Sequence, residues 1–301
     1  MKPPKFDYAA PATLDEALQL LAAHDGDAKP LAGGQSLMPV LAFRLAAPAL
    51  LVDLRRLPGL DRIDIGVDGV PGVRLGAKVR WRDIEHDARL AHAAPLLAQA
   101  IGHVAHYAIR NRGTVGGSLA HADPAAELPG IAVACDAVIE TASVRGVRRI
   151  PAGEFFEGAL TTALAPDELI TAVEFPAWPA ARAGAFEELA RRHGDFAMAG
   201  TAVWFDVDAQ GCAIDTHIAA IGAADRPLRL PAAEAALNGR RVDAEAIAAA
   251  AKAAAAQVEP ADDLHASAAY RRNLVEVLVE RALTRAAAGP AATADHARKL
   301  H

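Results

Sequence analysis

Only two of the 301 residues are cysteine, Cys135 and Cys212, both in apolar stretches of sequence. A zinc or iron–sulfur site needs about four clustered ligands, so these two cannot build one, and they read as small buried hydrophobes. No stretch of ~18 uninterrupted apolar residues occurs, and no charged-then-apolar leader opens the chain, which predicts a cytoplasmic protein without membrane span or signal peptide. A basic stripe is missing too. Acids and bases are interleaved to a net charge of −6, leaving nothing to neutralise a phosphate backbone, so nucleic acid is excluded as a partner. Two phosphate fingerprints are also absent. No G-x-x-x-x-G-K-[ST] supports a P-loop ATPase, and no G-x-G-x-x-G follows a strand as in the familiar dinucleotide fold.

What is present is a globular composition, 52 % apolar and 23 % charged, long enough for two domains because a single core stops growing near ~250 residues. Part of the apolar fraction is alanine. Runs such as AIAAAAKAAAAQ at 246–257 supply helix propensity more than core volume.

Along the chain, Thr13 and Glu16 have capping-box spacing ahead of a stripe of Leu14, Leu18 and Leu21, which predicts a helix stopping near Gly26. A strand over 29–32 runs into Gly33-Gly34, then helical turns with Pro39 near their start, then a buried strand in ALLVDLRRL. Alternation around Asp68-Gly69 and Pro71-Gly72 predicts a hairpin with an extended turn. A long helical region over 81–107, broken near Ala94-Pro95, leads to a loop over 110–130. Strands are predicted near 131–141, 146–150 and 169–175, a linker at 177–184, an antiparallel meander with a turn at 208–211, helices over 231–288 and a tail over 289–301. There is no internal repeat and no regular βαβ alternation. The predicted class is α+β, not a plain Rossmann domain.

Two segments are rich in glycine and small hydroxyls: KPLAGGQSLMP at 29–39 and RNRGTVGGSLAHADPAAELPG at 110–130. Paired glycines let backbone N–H groups approach a diphosphate without an obstructing Cβ, and Ser36, Thr114 and Ser118 add hydroxyl donors. Each glycine pair alone also reads as an ordinary turn.

The segments AGGQSLMPVLAFRL, AIRNRGTVGGSLAHADPAAELP, TTALAPDELI and RRHGDFAMAG resemble the FAD-binding medium subunits of molybdenum hydroxylases, the xanthine dehydrogenase and aerobic carbon monoxide dehydrogenase group, and lean toward the latter. The resemblance runs from about residue 2 to about 288. It implies a vanillyl-alcohol-oxidase (PCMH)-type FAD-binding domain over 1–177, with subdomains of about 1–56 and 57–177, then a smaller C-terminal domain over 178–288 with an antiparallel sheet and helices. It also implies non-covalent FAD, held at the diphosphate by Ala32, Gly33, Gly34, Gln35, Ser36 and Leu37 from one side and Thr114, Gly116, Gly117 and Ser118 from the other. Lys29 and Leu31 would lie along the adenosine. Glu127 matches an acid that bonds the flavin portion and Ile170 an aliphatic residue packed on the ring, with His121 and Asp123 on the same segment. Asp123 before Pro124 also reads as a turn-former and Glu127 as a loop acid. His193, Asp195 and Phe196 lie where relatives shape the flavin surroundings.

Two positions depart from the pattern. Gln35 stands where some relatives have histidine, and Glu187-Glu188 where the xanthine dehydrogenase branch has a lysine near the flavin. The implied role is electron transfer from iron–sulfur clusters through FAD to an external acceptor. The implied partners are an iron–sulfur small subunit and a molybdenum-binding large subunit of a heterotrimer, its further dimerisation left open, with the molybdenum cofactor and [2Fe–2S] clusters on those partners only. A self-contained flavin oxidoreductase and a non-catalytic nucleotide-binding module are the competing classes. Direct bleaching by substrate would favour the first, and absence of bound flavin the second.

Overall fold

Thr13 accepts the Glu16 amide while the Glu16 carboxylate takes the Thr13 amide, closing the capping box that starts helix Leu14–Ala23. The computed structural model describes residues 2–66 and 72–289. The turn at Asp68-Gly69, Pro71 and the tail beyond Gly289 lie outside the described residues. Helix Leu14–Ala23 links β1 (Asp7–Ala9) to β2 (Ala28–Leu31), and helix Leu37–Ala42 links β2 to β3 (Leu50–Asp53). Crossovers of this kind make strands parallel, and the sheet runs β1-β3-β2 with every pair parallel.

A second sheet combines β4 (Ile63–Ile65), β5 (Gly72–Gly76), β6 (Val138–Ser143), β7 (Gly146–Pro151) and β10 (Leu169–Pro176) in the antiparallel order β4-β5-β10-β6-β7. β8 (Phe156–Gly158) and β9 (Thr161–Thr162) form a separate short pair. Leu18, Leu21, Leu50 and Val52 of the parallel unit share a core with Ala142 and Leu169 of the second sheet. Each leucine buried there contributes about 1.5–3 kcal/mol, which fixes one layer on the other. Lys78 ties the same junction from outside, its Nζ donating to the Leu57 carbonyl at 2.6 Å.

The C-terminal meander consists of β11 (Ala183–Ala190), β12 (Ala197–Val207), β13 (Ala213–Ile221) and a short β14 (Leu228–Arg229), in that order and antiparallel. Its turn at Asp208 is as predicted, with the Gly211 amide donating to the Asp208 carbonyl at 3.0 Å. Helices Pro231–Leu237, Ala244–Gln257 and Ala268–Ala287 cover one face, burying Leu237, Ile247, Leu274, Leu278 and Leu283 against Val203, Phe205 and Ile218. The amphipathic last helix therefore packs inside its own chain.

Three local expectations are corrected. The helical region over 81–107 is four short helices, Trp81–His86, Leu90–Ala93, Pro95–Ala100 and Tyr107–Arg110, interrupted at Asp87 and Ala94 and over 101–106. The segment 110–130 is not one loop. It carries helix Val115–His121, capped by Thr114, and the start of helix Glu127–Ala134, with a left-handed turn at Ala122 between them. The strand expected near 131 begins only at Val138, because 131–134 finish that second helix. Every residue of Glu127–Ala134 is buried, and a short run buried all round has no periodicity to separate helix from strand. No helix among the described residues is long and apolar enough to cross a membrane.

Candidate functional site

The carboxyl end of β2 delivers the chain into the elbow at 32–36. Gly34 has φ +71°, a left-handed conformation that glycine adopts without strain. None of the hydrogen bonds among the described residues uses the backbone N–H of Gly33, Gly34, Gln35 or Ser36. Four consecutive free donors on one turn are the donor set that backbone anion sites use. Gln35 turns its side chain inward, Nε2 donating to the Gly33 carbonyl at 3.0 Å, while Ser36 is exposed and makes no cap bond to its own helix. The Gln35 side chain is thus a brace for the elbow. Leu37 opens the following helix, half-buried; Leu31 is half-buried beneath Gly34, and Lys29 is exposed on β2.

The second segment lies directly against this elbow. A Cβ on Gly33 would collide with the Arg112 carbonyl oxygen, 2.8 Å from its carbon and 3.0 Å from Gly113 Cα. A Cβ on Gly117 would lie 3.9 Å from the Ala32 Cβ and 2.8 Å from Thr114 Oγ1. At Gly33 the glycine permits a backbone approach that any side chain would push apart, whereas at Gly117 an added Cβ would crowd the Thr114 hydroxyl and only touch Ala32. Thr114 Oγ1 accepts the Gly117 amide at 3.2 Å, and half-buried Ser118 follows one residue later.

Gly116 has a different job. Its amide donates to the Ala77 carbonyl at 2.8 Å, and a Cβ there would lie 2.6 Å from the Ala77 Cβ. It seats the helix against the turn that follows β5, and its amide is spent on that contact. Gly113, which the sequence reading passed over, is equally constrained, since its Cβ would lie 2.8 Å from the Trp81 ring. Only the folded contact reveals that need.

Asp123 forms a local turn, Oδ1 accepting the Ala125 amide at 2.9 Å, so the turn-former reading holds for one of its oxygens. His121 ends its helix half-buried, and none of the hydrogen bonds among the described residues engages its ring. Ile170 is 3 % exposed, seated in the main core on β10, against which helix Val115–His121 packs. Glu127 is no loop acid. It begins a helix and is buried, and burial, with a smaller contribution from the Asp123 charge, pushes its carboxyl up to about 7. Glu187 and Glu188 separate: Glu187 pairs with Arg285 at 2.6 Å, whereas Glu188 has a buried, unpartnered oxygen. Phe196 is 66 % exposed, and its loop is held by Gly194, whose φ is +84° and whose Cβ would lie 2.7 Å from His106.

Free elbow amides, adjacent hydroxyls and a glycine-lined contact form a donor set suited to a diphosphate, and a buried acid suits the polar edge of an aromatic ring system. The residues present fit FAD.

The comparisons agree. Residues 4–178 match the family model described as the FAD binding domain in molybdopterin dehydrogenase, and residues 184–286 match the CO dehydrogenase flavoprotein C-terminal domain. The chain is 42 % identical over 288 residues to the nicotine 6-hydroxylase medium subunit of Paenarthrobacter nicotinovorans, covering 96 % of this chain and 99 % of that one. It is 41 % identical over 286 residues to the 6-hydroxypseudooxynicotine dehydrogenase complex subunit alpha of the same organism, covering 95 % and 96 %. Its fold superposes with a TM-score of 0.91 on a chain of the carbon monoxide dehydrogenase from Hydrogenophaga pseudoflava that lacks the Mo-pyranopterin moiety of its cofactor. The identity there is 39 %, over 96 % of this chain and 99 % of that one. The chain belongs to the family of FAD-binding subunits of molybdenum hydroxylases, the one that includes the medium chains of carbon monoxide dehydrogenase.

Proposed function

We propose that this chain is the flavin-carrying electron-transfer subunit of a molybdenum hydroxylase complex. Its partners would be an iron–sulfur small subunit and a molybdenum-binding large subunit, the three forming a heterotrimer. The observation that carries the reading is the contact between the elbow at 32–36, with its free amides, and the Thr114-capped helix start. FAD supplies the ability to accept electrons singly and release them in pairs. The chain's own residues do the holding.

The elbow amides and Ser36 take one side of the diphosphate, and Thr114, Gly117 and Ser118 the other. Lys29 and Leu31 flank the adenosine, and Leu37 closes the elbow. Glu127 meets the polar edge of the flavin, with His121, Asp123 and Ile170 around the ring. The flavin domain is taken as 1–177, with its subdomain division at about 56, and the C-terminal domain as 178–288. Two unbonded thiols fit a reducing, cytoplasmic setting.

Ser36→Ala should weaken FAD binding roughly fivefold, the worth of one neutral hydrogen bond at about 1 kcal/mol. Fluorescence titration of the FAD-free chain measures it, and unchanged affinity removes Ser36 from the site. The role itself is tested by reduction of the FAD-loaded chain. Its flavin should bleach on mixing with a reduced [2Fe–2S] partner subunit and stay oxidised with small organic substrates alone. Direct bleaching by such a substrate would make it a self-contained oxidoreductase.

A further inference from the structure

Arg271 lies near the start of helix Ala268–Ala287, which Ser267 caps, its hydroxyl accepting the Tyr270 amide at 3.2 Å. The residue is 7 % exposed. A cation near a helix N-terminus opposes the helix dipole, and a buried one loses its hydration, so its place is set by what it reaches. Nη2 pairs with Asp263 at 2.5 Å, and that carboxylate is itself held by the His265 and Ala266 amides at 2.8 and 2.9 Å. Nη1 donates to two backbone carbonyls, Met198 at 2.5 Å and Gly222 at 2.8 Å. Met198 lies at the start of β12 and Gly222 just past the end of β13. One guanidinium thus pins the ends of two neighbouring strands.

Those strand ends meet the turn that leads to Glu127. Gly222 has φ +66°, and a Cβ there would lie 2.9 Å from the Ala197 carbonyl oxygen and 3.0 Å from that of Met198. In this left-handed conformation its amide donates to the Pro124 carbonyl at 2.8 Å. Ile221, one residue earlier, abuts Gly130 of helix Glu127–Ala134 and leaves no room for a Cβ on that glycine. The turn has two bonds of its own, from the Ala125 amide to Asp123 Oδ1 and from the Ala126 amide to the Asp123 carbonyl. The helix after it begins at Ala126 without a side-chain cap. Among the hydrogen bonds of the described residues, the one that reaches residues 123–126 from another part of the fold comes from Gly222.

We infer that Arg271 is a positioning residue: acting through Gly222, it sets the turn that carries Asp123 and Glu127, and with it the fit of the flavin end of FAD. The inference rests on the FAD reading above. Arg271 itself touches no part of the cofactor. The diphosphate end is independent of it, since none of the hydrogen bonds among the described residues joins 32–36 or 114–118 to β12, β13 or the last helix.

The test separates the two ends of the cofactor. ADP carries the adenosine and diphosphate without the flavin, so it reads the glycine-bearing segments alone. In the full-length, flavin-free chain, Arg271→Met should weaken FAD binding roughly tenfold and leave ADP binding within about twofold. Arg271→Lys, whose compact ammonium cannot span Asp263 and both carbonyls, should show the same split at roughly threefold. Circular dichroism confirms that each variant is folded, and a general loosening of the chain would move FAD and ADP together. Parallel loss of both ligands, or unchanged FAD binding in folded Arg271→Met, overturns the positioning role and leaves the FAD reading standing. If Arg271→Met does not fold, Arg271→Lys decides by the same criterion. A wild-type chain that binds no FAD overturns the FAD reading, and this inference with it.

Discussion

Gly117→Val should strip FAD from the chain, raising its dissociation constant at least about 100-fold, an effect on the order of 2.7 kcal/mol, while leaving the overall fold in place. The Cβ of the new residue would press on Thr114 Oγ1, which now caps the helix through the Gly117 amide. Loss of that cap costs about 1 kcal/mol, too little to unfold a domain of this size. The branched methyls would then extend toward Ala32, across the gap where the elbow and the helix start oppose each other. Gly117→Ala should be milder, because its single methyl reaches the Ala32 Cβ only at 3.9 Å. Flavin absorbance per chain after gel filtration, with circular dichroism as the folding control, reads both effects. Fully flavinated Gly117→Val would remove this helix from the site. Substitution of Gly33 is a poorer probe. Its side chain would strike the Arg112 backbone first, so loss of FAD could not be separated from loss of the contact between the segments.

Trp204→Ala should produce the largest loss of stability, about 3–5 kcal/mol as for other buried aromatic deletions. The indole lies between the Arg182 guanidinium, 3.7 Å from the ring centre, and the His217 ring, stacked at 3.7 Å, with Trp178 edge-on at 6.2 Å. Its Nε1 donates to the Ala134 carbonyl at 2.7 Å, joining the C-terminal sheet to helix Glu127–Ala134. Deleting the ring removes that link and opens space beside the small cavity lined by Cys135, Trp178 and Arg182. The Ala134 carbonyl is not orphaned, since His217 Nδ1 also reaches it at 2.9 Å. Trp204→Phe, which keeps most of the packing and loses the hydrogen bond, should therefore cost only about 1 kcal/mol. Urea midpoints followed by circular dichroism distinguish the two; equal midpoints would mean that packing at Trp204 does not hold the two parts together.

Glu188 adds a pH dependence whose sign is fixed. Its folded-state pKa is raised, to about 9, above the ordinary Glu value near 4.3, so between those limits the folded chain keeps a proton that the unfolded chain releases. The stability this contributes is complete below the ordinary value and is lost as pH rises toward about 9. Glu188→Gln should flatten the fall, and thermal midpoints at successive pH values measure it.

Local chemistry was legible wherever a residue's role depends on its near neighbours in sequence. Thr13 with Glu16, the turn at Asp208 and the alternation of the C-terminal strands are of that kind. The segment 110–130 was legible as a site but not as a shape. Its glycine pair suggested an elbow, whereas Gly116 is required by Ala77 in the turn after β5, and a single sequence carries no sign of that contact. Residues 131–134 read as strand in the sequence because their helix is buried on every side and shows no helical period. Glu188 was visible only as a departure from a family pattern. Its significance arises from burial opposite Glu127, which belongs to another part of the fold.

The central claim is that two glycine-bearing segments close on a diphosphate, and competition among flavins tests it most directly. Equilibrium binding of FAD, FMN and riboflavin to the flavin-free chain should rank FAD far above the other two, because only FAD carries a diphosphate for the elbow amides and for Thr114 and Ser118. FMN bound as tightly as FAD, or no flavin bound at all, would contradict it.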